Sequence, residues 1–179
     1  VFFFIPFFQT FGLSFFDYSS SIYNPTFNGV DNYVKLFKEP IFYKVMFNTF
    51  MYLVIAVPCL VTFPLFLAIL INQKIRGVTL YKILLYLPVI VSIVVAAIAF
   101  KWLYAGQGIL NYILTLFHIQ PIGWLVDTKW ALFSVAVVTI WKGIGYYMMI
   151  YLASLMSVPQ DLYEACDIDG SNFLTKHLT

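Results

Sequence analysis

Charge is scarce in this chain. Only 10% of its 179 residues are Asp, Glu, Lys or Arg, against roughly a quarter in an average soluble domain. A soluble protein of this length needs far more charge to hold its outside in water. Lys and Arg do not cluster and the formal net charge is only +2, which excludes a nucleic-acid partner, because phosphate binding needs grouped cations. Cysteine is nearly absent: Cys59 sits in a hydrophobic run and Cys166 in a polar stretch, so neither a disulfide framework nor a metal site is expected. The two histidines, His118 and His177, are too few for a membrane enzyme built on clustered ionisable groups. No Gly-x-x-x-x-Gly-Lys-Ser/Thr loop is present to cradle a nucleotide, and no cofactor is expected. Apolar residues are what the chain has in quantity: 62% hydrophobic, 20% aromatic, mean hydropathy +0.89. This is the composition of an all-α polytopic membrane protein.

Spanning helices need about 20 mostly apolar residues. Residues 1–16 form one apolar run, which begins without Met or a basic flank and reads as the end of a span whose start is missing. Residues 45–71 form the second, with Pro58 and Pro64 inside it expected to bend the helix and free carbonyls. Asn48 and Thr62 in that run are expected to bond a neighbouring helix. The third covers 83–104, with Pro88 near one end and Lys101, Trp102 and Tyr104 as interfacial anchors at the other. The fourth covers 131–155 and holds Lys142 near its middle. The expectation is therefore about four transmembrane helices in a single domain over 1–179, with lipid around it. The short loop 72–82, NQKIRGVTLYK, is basic and lacks acids, which places it in the cytoplasm by the positive-inside rule. Residues 17–44 and 105–130 then lie outside, and the stretch after 155 returns to the cytoplasm. The outside stretch before the second span is expected to lie at the membrane surface.

Residues 157–179 break with this pattern. Ser157 and Gln160 fit a helix start, Pro159 suits the first turn, and Asp161 and Glu164 sit where the helix dipole favours negative charge. Gly170 suits a left-handed stop and Ser171 a second cap. A helix, a glycine corner and another helix on the cytoplasmic side read either as a lever for an external protein or as an ordinary solvated loop.

Lys142 has two readings. An ionisable group at mid-membrane usually faces a cavity or a partner, which would make it a pathway residue near Gly145, Tyr146 and Met149. Alternatively it bonds carbonyls freed by a Pro or Gly break, or snorkels to an interface. Trp141, Tyr146 and Tyr147 have faces on which a sugar ring can stack, or they pack against helices and lipid. Gly143 and Gly145 permit close helix approach. His118 reads as a surface residue.

Glu164-Ala165-Cys166, three further residues, then Gly170 resembles the Glu-Ala-Ala loop of ABC importer permeases, with Cys166 in place of a second Ala. The flanking SVPQDLYEACDIDG and WKGIGYYMMIYLASLM, with NGVDNYVKLFKEPIFYKVMFNT and LLYLPVIVSIVVAAIAFKWLY, resemble the binding-protein-dependent sugar-transport branch. The resemblance implies a multi-pass permease subunit of the cell membrane, not an enzyme, that forms a translocation pathway for a sugar or related solute. It implies three kinds of protein partner: an ATP-binding subunit dimer, a second permease subunit in a heterodimer, and an extracytoplasmic solute-binding protein. Glu164, Ala165, Cys166, Asp169 and Gly170 would then form the coupling loop to the ATPase. An ATP-independent transporter or channel is the alternative, and it predicts charged relays or filter-like loops in the membrane.

Overall fold

The computed structural model describes residues 2–18, 25–72, 77–159 and 161. Glu164, Ala165, Cys166, Asp169 and Gly170 lie outside the described residues, as do Gln160 and residues 73–76 of the basic loop. The chain divides into two units, residues 1–50 and 51–179.

In the first unit, helix α1 (Phe4–Leu13) is apolar and exposed throughout. Residues 1–16 are expected to be helical as one run, yet α1 is only 10 residues long. Ser14 explains the stop, because its hydroxyl donates to the Phe11 carbonyl at 2.6 Å and competes with helix continuation. Phe16 and Asp17 then leave the helix as strand β1 (Phe16–Asp17), paired antiparallel with β2 (Thr26–Phe27). Asn32 ties this turn together, its amide donating to the carbonyls of Ser14 at 2.9 Å and Phe16 at 3.0 Å. Helix α2 (Asp31–Lys38) has Asp31 in its first turn and Lys35 and Lys38 in its last, the arrangement that complements the helix dipole.

Helix α3 (Pro40–Asn72) runs for 33 residues and contains the expected second span. Pro58 and Pro64 lie inside it without interrupting it. Thr62 does not reach a neighbouring helix as expected; its hydroxyl donates to the Pro58 carbonyl of its own helix at 2.7 Å.

Beyond α3, the expected third span is not one helix. It is α4 (Val78–Ile90) and α5 (Ile93–Leu103), bent by 95° across Val91 and Ser92. A short helix, α6 (Ile109–Leu116), follows within the loop. Helix α7 (Ala131–Met156) matches the expected fourth span. Ser157 closes α7, its hydroxyl donating to the Ser154 carbonyl at 2.7 Å, and the helix expected to follow it falls mostly outside the described residues. Among the described residues two helices, α3 and α7, are long and apolar enough to cross a membrane, and three spans result if the bent pair counts as one. Four were expected, the first of them as the clipped end of a span, and α1 is a shorter apolar helix of 10 residues.

The core of the second unit lies where the end of α3, α4 and the end of α7 meet. Ala68, Ile71, Met148 and Leu152 are buried there, with Leu67, Val78, Leu85 and Tyr151 packed around them. Small residues set the spacing. A Cβ on Gly145 would overlap the Leu85 carbonyl oxygen, and one on Gly143 would stand 2.8 Å from the Leu60 side chain. The α7 and α4 backbones therefore touch at Gly145, a contact no larger residue allows.

Candidate functional site

The interruption between α4 and α5 exposes backbone that a helix would have satisfied. Val91 and Ser92 are extended, with ψ of 131° and 139°. The last carbonyls of α4 thereby lose their intrahelical donors. In hydrocarbon no water replaces them, and irregular backbone persists only where protein or a cavity satisfies it.

Lys142 of α7 supplies the missing donors. Its Nζ donates to the carbonyls of Pro88 at 3.2 Å, Val89 at 3.3 Å and Val91 at 2.6 Å. A primary ammonium has three N–H donors and no acceptor, so each donor has a carbonyl. The position also places a cation at the C-terminus of α4, the end of a helix that attracts one. Gly145, one turn further along α7, brings the two backbones together at Leu85, which holds Lys142 within reach of the break. These are the contacts of the carbonyl-binding reading.

Beside the break lies an apolar groove of about 380 Å³, lined by Ile93, Ala97, Phe100, Tyr104, Val138 and Thr139 among others. Trp141 packs edge-on against Phe100 with ring centroids 5.1 Å apart. Tyr146 and Tyr147 meet each other at 5.4 Å and 77°. All three keep substantial exposure, 37%, 50% and 40%. Tyr52 of α3 donates to the Thr139 hydroxyl of α7 at 2.8 Å, which joins the two long helices near the groove.

Asn111 is a functional candidate that the sequence reading missed. It is 1% exposed, and its amide nitrogen donates to the carbonyls of Ala105 at 3.1 Å and Ile122 at 3.0 Å. Its amide oxygen accepts from the Ile122 amide at 2.9 Å and the Trp124 indole at 3.1 Å. One side chain thus organises the loop between α5 and α7, with Tyr104 adding a bond to the Ser134 carbonyl at 3.0 Å. The available signal was a lone amide in the otherwise apolar run ILNYILTL. His118 is exposed in this loop with a positive φ of 57°. Among the described residues no group of three or more His, Cys, Asp or Glu is placed to hold a metal.

The arrangement is a bent helix pair, held at its break by Lys142 and packed on a long apolar helix. Comparison with known proteins gives that geometry a context. The chain is 34% identical over its whole length to the probable ABC transporter permease protein YurN of Bacillus subtilis, covering 64% of it. Over 80% of the chain it is 36% identical to the lactose transport system permease protein LacF of Rhizobium radiobacter, covering 49% of that protein. The chain thus spans about half to two-thirds of the length of these relatives. The fold matches a chain in the crystal structure of a bacterial ABC transporter that imports the acidic polysaccharide alginate, with a TM-score of 0.77 and 24% identity over 93% of this chain and 57% of that one. No protein-family model matches.

Proposed function

As the chain belongs to the ABC transporter permeases of the sugar-transport type, we propose that it forms part of the path by which a sugar or related solute crosses the cell membrane. The observation that carries this reading is a likeness to an ABC transporter permease that runs the length of the chain, joined over 80% of it by a likeness to a lactose transport system permease. Apolar helices long enough to cross a bilayer support it.

In this reading residues 1–179 are one transmembrane domain, with the basic loop 72–82 and the stretch after 157 in the cytoplasm. A dimeric ATP-binding subunit supplies energy, a second permease subunit completes the pathway, and an extracytoplasmic binding protein delivers the solute to the loop that Asn111 organises. Glu164 offers the ATPase a charge partner in the loop Glu164-Ala165-Cys166, with Asp169 beside the corner that Gly170 sets. Trp141, Tyr146 and Tyr147 present ring faces to the solute, and Lys142 shapes the same pathway through the carbonyls it holds. Aromatic rings suit sugars because the C–H face of a pyranose is apolar while its rim is hydroxylated.

Co-purification tests the assembly. The full-length protein is isolated in detergent from its own cells, as wild type, Glu164→Arg and Gly170→Val. Wild type is expected to retain an ATP-binding subunit and the variants to lose it while keeping their spans folded. A wild type that never retains an ATPase, yet still moves sugar in vesicles without ATP, would replace this reading with an ATP-independent transporter.

A further inference from the structure

Prolines do not by themselves break helices in this chain, since Pro58 and Pro64 sit within the unbroken α3. Pro88 lies inside α4, before the interruption at Val91 and Ser92. Its missing N–H frees the carbonyl of Leu84, four residues back, whereas Lys142 holds those of Pro88, Val89 and Val91. Were the helix to run on, these three carbonyls would accept from the amides of Ser92, Ile93 and Val95. Nothing in the apolar sequence from Val89 to Ala99 forbids that. Two donor sets therefore compete for the same carbonyls, the chain's own amides in a straight helix and the lysine in a bent one.

We infer that the carbonyls of Pro88, Val89 and Val91 form a primary-ammonium site that Lys142 fills, and that its occupancy selects the bent over the straight form of residues 78–103. The site is held from two sides. Gly145 fixes α4 against α7, and the three acceptors match the three donors of one ammonium group. A guanidinium is a planar fork and does not cap three carbonyls that converge on a point. A carboxamide brings only two donors. Truncating Lys142 to Ala deletes Cγ, Cδ, Cε and Nζ, which together have the shape of n-propylammonium, so that small cation is the ligand the vacated site takes.

The test reads a distance and needs neither solute nor ATP, so its outcome is independent of the transport reading. Spin labels are placed at Thr79→Cys and Trp102→Cys, both exposed positions, in the full-length protein with Cys59 and Cys166 replaced by Ser, in native-membrane nanodiscs that retain its partners. At 1.5 Å per residue the labels stand about 35 Å apart along a continuous helix and about 10 Å closer across the bend. With Lys142 present the shorter distance is expected, and with Lys142→Met the longer. Lys142→Ala is expected to give the longer distance and to return to the shorter with n-propylammonium, but not with tetramethylammonium, which has no N–H. A short distance in Lys142→Met, or a Lys142→Ala distance unmoved by n-propylammonium, overturns the inference. If those variants fail to accumulate, Lys142→Gln decides: a mixture of distances supports it and a wholly bent population overturns it.

Discussion

Helix α3 and the α4–α5 segment are built from similar material and end differently. Both are apolar, both contain proline, and α3 contains more of it, yet α3 continues for 33 residues while its neighbour turns by 95°. A proline removes one N–H and crowds one carbonyl, a local deficit that a helix embedded among others survives. Inside α3, Thr62 adds a bond to the Pro58 carbonyl. Turning the chain through a right angle strands several carbonyls at once, and in α4–α5 a lysine from another helix collects three of them. The difference lies in what faces the helix, not in what composes it.

The largest expected effect comes from removing the contact that holds α4 on α7. A Cβ at residue 145 would overlap the Leu85 carbonyl, so Gly145→Val should cost about 3 kcal/mol, read as thermal unfolding of the detergent-purified protein. Unchanged stability would mean that the two backbones are not in contact. Next comes the other place where one side chain serves irregular backbone. Asn111 satisfies groups on Ala105, Ile122 and Trp124, and Asn111→Leu should cost about 2 kcal/mol while far-ultraviolet circular dichroism stays that of folded helices. A neutral result would show that the loop does not depend on it.

Smaller effects are expected where α3 is touched. Tyr52→Phe deletes a single hydrogen bond between α3 and α7, worth about 0.6 kcal/mol for helices in a membrane; a loss several times larger would make that bond a main tie. Thr62→Val removes only the bond at Pro58 and should shift stability by less than about 0.5 kcal/mol. If instead α3 breaks near Pro58 in this variant, the contrast with α4–α5 reduces to which proline has a hydroxyl nearby.

Much of this was legible in sequence because hydrocarbon is a demanding solvent. Long apolar runs need no partner to be read, so residues 131–155 emerge as α7 and 45–71 fall within α3. Lys142 stood out for the same reason, as a charge in an apolar run, and bonding to freed carbonyls was among its readings. The break itself was not visible. Residues 83–104 carry no stop at Val91 or Ser92, and the donor that meets those carbonyls comes from 54 positions away in the case of Pro88. The early end of α1 depends likewise on Ser14 and on Asn32 of another element. Asn111 looked unremarkable because its partners are scattered backbone groups that only the folded loop assembles. For the coupling residues around Glu164 and Gly170 the sequence motif is the support.

One measurement addresses the central comparison directly: the spin-label distance across the break in Pro88→Leu with Lys142 retained. If a cation and not a proline holds the bend, the distance remains that of the bent form. If the segment straightens to the length of a continuous helix, Pro88 holds the bend, and the contrast drawn between α3 and α4–α5 is wrong.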